Sequence, residues 1–172
     1  MGDGLEQRLR DLEDREQIRE LRASYCFLVD DGRFDELVDD CFTEDARCDF
    51  HGTNGKVGPF VSQGREELRT YFGQVVAALL HDMNHTVHNH RITLDGDHAS
   101  GDCYFELTAK DPATGDAVVG GGRYIDRYRR VAGRWRFAER VAAMAYIAPL
   151  SPGWVKQPFL ATVEAASAAG RD

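Results

Sequence analysis

The sequence predicts an α+β domain in which N-terminal helices pack against a mostly antiparallel sheet. Up to residue 80, apolar residues recur at three- and four-residue steps, as they do in amphipathic helices. From residue 85 the period changes to two, and short turn motifs separate the segments, as in a β-meander. Helices that precede such a meander must cover one face of the sheet. We therefore expect a curved sheet wrapped around the helices, with a pocket at its open end.

Three helices are predicted in the first half of the chain. The first ends at Asp30-Asp31-Gly32, because glycine inside a helix is destabilising. The third begins at Glu66 and Glu67, since acidic residues favour a helix N-terminus. The predicted helices cover residues 5–29, 34–42 and 66–80.

Five strands and their turns complete the predicted domain. Asp95-Gly96-Asp97 is a hairpin signal between two of the strands. Gly120-Gly121-Gly122 lies inside a strand without a following helix, so we expect it to bend the sheet rather than bind phosphate. The predicted strands are 46–50, 85–95, 99–109, 117–130 and 134–147, with a glycine-rich loop at 51–64. One domain is expected over residues 1–150, followed by a tail at 151–172 that caps the pocket or contacts a second subunit.

Composition excludes several classes of function. The net charge of -8 argues against non-specific nucleic-acid binding, which needs a basic surface. The chain has no apolar run long enough to span a bilayer, so we expect no membrane partner. Its four cysteines show no metal-like or CxxC spacing and are expected to be reduced, partly buried thiols of a cytoplasmic protein.

Asp30 and His85 are the strongest candidates for catalysis. Asp30 ends the first predicted helix and His85 opens a predicted strand, so the fold can bring them together. A carboxylate bonded to one ring nitrogen fixes the histidine tautomer and leaves the other nitrogen as a general base. Asp31 is a rival for the same role. A purely structural histidine at a strand start remains the alternative for His85.

A cluster of histidines raises the question of a metal site. It contains His81, His85, His88 and His90. Strict strand alternation would place His85 on one face and His88 and His90 on the other. Because no carboxylate or cysteine spacing supports a zinc or iron site, we expect no metal and no cofactor.

Several segments occur in the order found in a known family. They are Leu28-Val29-Asp30, Phe42-Thr43-Glu44-Asp45-Ala46, Asn84-His85 and GGGRYIDRYRRVAGRWRFAER at 120–140. Over residues 10–150 the chain resembles the SnoaL-like branch of the nuclear transport factor 2-like superfamily, which includes scytalone dehydratase and hexachlorocyclohexane dehydrochlorinase. The resemblance implies a cone-shaped α+β barrel.

The resemblance also implies roles for three residues. Asp30 matches the acid of the Asp–His dyad in both enzymes, and His85 matches their base. Arg140 matches an arginine that assists the leaving group in the dehydrochlorinase. The alternative is that Arg140 pairs structurally with Glu106 or Asp126 on a neighbouring strand.

The substrate-selecting residues of those enzymes do not carry over. Tyr25 stands where the dehydrochlorinase has lysine, and Val29 where the dehydratase has tyrosine. Another dehydratase tyrosine falls near Phe50, and its second histidine falls on Cys103 or Tyr104. The expected substrate-binding residues in this chain are Tyr25, Phe50, Tyr104, Tyr124 and Met144.

These observations predict a cofactor-independent lyase, similar to a dehydratase or dehydrohalogenase, that acts on a small apolar organic substrate. An isomerase or a polyketide-cyclase-like enzyme would use the same base. The same fold would also suit a non-catalytic small-molecule-binding protein or a subunit that supports a partner oxygenase. By analogy with this fold we expect a homo-oligomer, a dimer or a trimer.

Overall fold

A computed structural model describes residues 2–52 and 58–151, with side chains from residue 4, and confirms the α+β class. The first two helices are α1 (Gly2–Asp30) and α2 (Phe34–Cys41). The third helical stretch is less regular than predicted, because an α-helix changes to a π-helical segment before a last α-helical turn. Its parts are α3 (Gly64–Thr70), the π-helical segment Tyr71–Val76 and α4 (Ala77–Leu79).

Six strands form one open, mixed sheet in the order β2-β1-β6-β5-β4-β3. The pair β1–β6 is parallel and all other pairs are antiparallel. The sheet does not close, so β2 and β3 are its edges. The strands are β1 (Phe42–Gly52), β2 (Phe60–Gln63), β3 (His81–Asp95), β4 (His98–Lys110), β5 (Ala117–Val131) and β6 (Arg134–Pro149).

The largest differences from the sequence prediction are two earlier strand starts and one strand that was not predicted. β1 begins at Phe42, directly after α2, and β3 begins at His81, four residues before the predicted start. β2 lies within the predicted glycine-rich loop and pairs with β1. Its four residues are too few for an alternating pattern to stand out from the surrounding glycines. Residues 53–57 of that loop lie outside the described residues.

Aromatic side chains fill the interior between α1 and the sheet. Tyr25 of α1 makes edge-on contacts at ring-centroid distances of 5.8 to 6.2 Å. Each such contact contributes about 0.5–1.5 kcal/mol beyond the burial of apolar area. This packing fixes the angle at which α1 crosses the sheet. The rings that surround Tyr25 belong to Phe42, Phe72, Tyr124 and Phe137.

The glycine triplet lies at an irregularity of the β5–β6 pair, where the register shifts between Gly121 and Gly122. A Cβ atom on Gly122 would lie 2.1 Å from the Ala143 carbonyl oxygen, so no side chain fits there. This close backbone approach agrees with the expected bend in the sheet.

No helix in residues 2–52 and 58–151 is both long and apolar enough to cross a bilayer.

Candidate active site

Asp30 holds His85 at two points. One carboxylate oxygen of Asp30 accepts the backbone N–H of His85 at 2.8 Å. The other lies 2.5 Å from Nδ1 of the same histidine. Both side chains are largely shielded from solvent, with 6% of the His85 side chain and 17% of the Asp30 side chain exposed. The arrangement fixes both the ring and the N-terminal part of β3 against the C-terminal end of α1.

The second ring nitrogen of His85 is the one available for chemistry. Nε2 forms no hydrogen bond with any residue in the described ranges. A carboxylate at Nδ1 favours the tautomer in which Nδ1 carries the proton and Nε2 carries a lone pair. The imidazole is therefore arranged as a base. Asp31, the rival acid, is exposed and the described structure gives it no contact with His85.

Strand pairing places the dyad near one end of the cone. His85 pairs with Leu107, Leu107 with Gly120, and Gly120 with Ile147, so these four residues form one row across the sheet. β6 ends two residues after Ile147, at Pro149. The dyad therefore lies close to where the chain enters the tail, and residues 152–172, including the proposed cap, lie outside the described residues.

Arg140 is fully buried and paired with Asp126. Its Nε and Nη2 atoms donate to the two Asp126 oxygens at 2.9 and 3.0 Å. The guanidinium carbon lies 4.0 Å from the ring centroid of Tyr25 and 4.1 Å from that of Tyr124. Burial alone would lower the pKa of Arg140, but the Asp126 carboxylate raises it well above its ordinary value. The structural pairing considered for this arginine is thus present.

Four of the five predicted substrate-binding residues face the interior. Tyr25, Tyr124 and Met144 are buried, and Phe50 is half-buried beside the ring of Tyr71. Met144 belongs to the second row from that of the dyad, since it pairs with Gly122 of β5. Whether these side chains contact a substrate stays a prediction.

Tyr104, the fifth predicted substrate-binding residue, lies outside the interior. This side chain is 48% exposed on the outer face of β4, where Arg123 lies over its ring. Its strand neighbours Cys103 and Phe105 are buried, so alternation directs Tyr104 away from the cone.

A comparison with models of protein families identifies the family to which this chain belongs. A model described as "SnoaL-like domain" matches residues 10–141, more than half of the chain. The chain belongs to the SnoaL-like domain family. A comparison with curated proteins finds no match.

Solved structures share the cone fold of this SnoaL-like domain. A candidate scytalone dehydratase from Novosphingobium aromaticivorans DSM 12444 is 17% identical, with a TM-score of 0.71 and coverage of 81% of this chain and 89% of that chain. The hexachlorocyclohexane dehydrochlorinase LinA-type3 from Novosphingobium barchaimii LL02 is 22% identical, with a TM-score of 0.71 and coverage of 83% and 94%. A candidate aromatic ring hydroxylase from N. aromaticivorans is 28% identical, with a TM-score of 0.70 and coverage of 82% and 96%.

The interior of this SnoaL-like domain also holds a polar network that sequence reasoning missed. Arg22 of α1 donates from Nε to the Tyr128 hydroxyl at 2.5 Å, and its Nη2 lies 3.3 Å from Asp126. The Tyr128 hydroxyl donates to Asp126 at 2.8 Å. Arg22 and Arg140 therefore share one carboxylate. The available signal was Arg22 itself, a charge among the apolar positions Ile18, Leu21 and Tyr25 of the first helix.

The prediction that His90 lies on the opposite face of the strand from His85 was wrong, because a β-bulge separates the two residues. Asn89 has a φ of 57°, and the pairing of β3 with β4 shifts register between His88 and Arg91. The extra residue turns His90 inward, on the same side as His85, while His88 stays exposed. Burial and then the charge of Arg22 lower the pKa of His90 to about 4. Even so, no three metal-ligating side chains converge within residues 2–52 and 58–151.

All four cysteines are free and buried, more deeply than predicted. They are Cys26, Cys41, Cys48 and Cys103. Burial raises the pKa of Cys26 and Cys48 to about 12, so both remain thiols at neutral pH. Neither is activated as a nucleophile.

Two surface hollows lie apart from the dyad. One of about 700 Å³ lies between α1 and the β5–β6 turn, beside Glu20 and Trp135. The other, of about 550 Å³, lies over Gly101 and Arg123 on the outer part of the sheet. Neither is lined by Asp30 or His85. The expected pocket next to the dyad stays a prediction.

Proposed function

We propose that this SnoaL-like domain is a cofactor-independent lyase that uses Asp30 and His85 as a general-base dyad on a small apolar organic substrate. The observation that supports this most is the two-point contact between Asp30 and His85. A single hydrogen bond would leave the ring free to rotate. Holding the backbone and Nδ1 together directs Nε2 to one position, as general-base catalysis requires.

In the proposed reaction, Nε2 of His85 removes a proton from a carbon next to an activating group. The electron pair of the broken C–H bond forms a carbon–carbon double bond, and a hydroxide or halide departs with the electrons of its own bond. Asp30 stabilises the imidazolium that forms. The proton then passes to the departing hydroxide as water or to solvent, so the dyad returns to its starting state.

The side chains around the dyad support an apolar substrate. Met83 and Val87 flank His85 on the inward face of β3, and Met144 of β6 lies two rows from the dyad. Such surfaces bind carbon skeletons without competing for polar groups. We further propose that Arg140 assists the leaving group. Its Nη1 atom is buried without a hydrogen-bond partner in the described ranges, although its other nitrogens are committed to Asp126.

Dehydration or dehydrohalogenation is the favoured outcome, and double-bond isomerisation or ring closure would begin with the same proton removal. The relatives with lyase names, a dehydrochlorinase and a candidate dehydratase, favour elimination. We expect the substrate and copies of this chain, as a dimer or trimer, to be the only partners that the reaction requires.

The test is a proton-exchange assay that does not require the natural substrate. Small ketones, β-hydroxy carbonyl compounds and polyhalogenated cyclohexanes are incubated with the protein in D2O, and mass spectrometry measures deuterium uptake and elimination products. His85→Gln should reduce the rate by about 10²- to 10⁴-fold, the usual contribution of a general base. The matched control is His88→Gln, which changes an exposed histidine on the same strand.

Equal rates for wild type and His85→Gln would end the proposal. If the compounds bind but none is exchanged or converted by wild type, the non-catalytic binding protein of the same fold becomes the better explanation.

A further inference from the structure

The interior contains a buried cluster with one more positive charge than negative charge. Arg22 and Arg140 are each 1% exposed, and both face Asp126. Two guanidinium groups and one carboxylate leave a net charge of about +1. Burial raises the pKa of Tyr128 well above its ordinary value, so its hydroxyl adds no negative charge. A buried charge without a counterion is costly for a folded protein.

Four buried nitrogen atoms of this region have no hydrogen-bond partner among residues 2–52 and 58–151. They are Nη1 and Nη2 of Arg22, Nη1 of Arg140 and Nε2 of His90. Nη2 of Arg22 lies near Asp126 but makes no hydrogen bond with it. Buried polar groups are almost always paired, so these donors near an uncompensated charge favour the binding of a small polar species there.

Strand pairing brings Arg22 and His90 to the same place. A Cβ atom on Gly101 would lie 3.0 Å from Nη2 of Arg22, so the guanidinium lies directly over this glycine. Gly101 pairs with Ile92, which faces inward two residues after His90. Neighbouring inward positions of a strand are about 7 Å apart. After burial, Arg22 is the strongest influence on the pKa of His90, which agrees with this proximity.

We propose that Arg22 and His90 form an internal binding site for one small monovalent anion of halide size. The anion accepts from Nη1 of Arg22 and, once His90 is protonated, from its Nε2–H. It also balances the excess charge of the Arg22–Asp126–Arg140 cluster. The enclosure of both nitrogen atoms limits the ligand to a small ion. This site does not depend on the proposed lyase activity, because neither Arg22 nor His90 contacts the Asp30–His85 pair in the described structure.

The proposed site couples anion binding to proton uptake. Arg22 and Arg19 act on His90 from α1, and Asp126 and Arg140 act on it from β5 and β6. Cys103 of β4 adds no charge, because burial raises its pKa. The positive charges disfavour protonated His90 until an anion is present. In the limit where His90 is protonated only with the anion bound, affinity rises about tenfold for each unit of decrease in pH.

Bromide is the probe for the test, with gluconate holding the ionic strength constant. Bromine NMR line width reports bound bromide, and anomalous scattering from crystals grown in bromide locates it. We expect excess line broadening that chloride competes away and that increases from pH 8 to pH 6. An anomalous peak is expected between Arg22 and His90.

Variants separate this site from surface binding. His90→Gln should abolish the pH dependence, while His88→Gln should retain it. Arg22→Met should abolish the broadening, and Arg19→Met on the same helix should not. If Arg22→Met does not fold, the pH dependence of bromide binding in His90→Gln is the test of the proposal. The proposal is overturned if wild type shows no broadening that chloride competes away, if bromide occupies only surface positions, if an ordered water occupies the site in bromide-grown crystals, or if His90→Gln keeps the pH dependence.

Discussion

At the scale of single residues, the two carboxylate oxygens of Asp30 have different roles. One accepts the backbone N–H of His85 and so fixes the position of the N-terminal part of β3 relative to α1. The other faces Nδ1 and fixes the orientation of the imidazole. The carbonyl oxygen of an asparagine could still accept the backbone N–H, but its NH2 nitrogen only donates and could not accept from Nδ1. The two functions can therefore be separated by one substitution.

Asp30→Asn should reduce turnover by about 10²- to 10⁴-fold while leaving KM nearly unchanged, because it disturbs the histidine tautomer more than the surrounding apolar surface. Steady-state kinetics or deuterium exchange measures the effect. Asp31→Asn, which changes the exposed neighbour, is the matched control and should behave as wild type. An increase in KM at constant kcat would instead assign Asp30 to binding.

At the scale of elements, adjacent strands offer a comparison of a buried and an exposed ion cluster. Asp126 of β5 faces Arg22 and Arg140 inside the cone, with no exposure of its side chain. Asp102 of β4 also faces two arginines, Arg91 and Arg123, but on the outer face with its side chain 21% exposed. One aspartate between two arginines should therefore contribute very differently to the free energy of unfolding when it is buried and when it is exposed.

Asp126→Asn should lower the free energy of unfolding by about 3–5 kcal/mol, because it leaves two buried arginines without a counterion. Asp102→Asn should cost about 0–1 kcal/mol, since water solvates its partners. Urea unfolding followed by circular dichroism measures both values. Similar losses in the two variants would contradict the importance assigned to burial.

The elements also show how far sequence reasoning reaches. Local residue patterns put Asp30 near a helix end and His85 near a strand start, but the choice of Asp30 over Asp31 as the partner of His85 came from the family resemblance. The inward position of His90 was not predictable, since strand alternation holds only until a bulge, and a positive φ at Asn89 leaves no reliable pattern. The partner of Arg22 could not be chosen from sequence either, because the chain contains 29 acidic residues and periodicity does not rank them.

At the scale of the whole molecule, α1 connects the two ends of the cone. Asp14 accepts from Arg130 and Trp135 near the β5–β6 turn, and Asp30 holds β3 at the other end. Arg22 lies midway and contacts Tyr128 of β5. These three α1 residues are eight positions apart, about 12 Å along a helix axis. From its N-terminal to its C-terminal part, α1 contacts first β5 and β6 and then β3, so it crosses the sheet diagonally. Its polar residues Asp14, Arg22 and Asp30 bind it to the sheet at three points.

The response of the whole molecule to acid should depend on His90. Its pKa of about 4 lies below the unfolded value of 6.5, so the unfolded chain binds more protons between these limits. Stability from this residue is therefore complete above pH 6.5 and is lost as the pH falls toward 4. In buffer free of small anions, wild type should lose about 1–2 kcal/mol more than His90→Gln between pH 7.5 and 4.5, after allowance for the partial exposure of the ring. Urea unfolding at both pH values measures this difference, with His88→Gln as control, and parallel losses in wild type and His90→Gln would show that His90 is not held neutral by its surroundings.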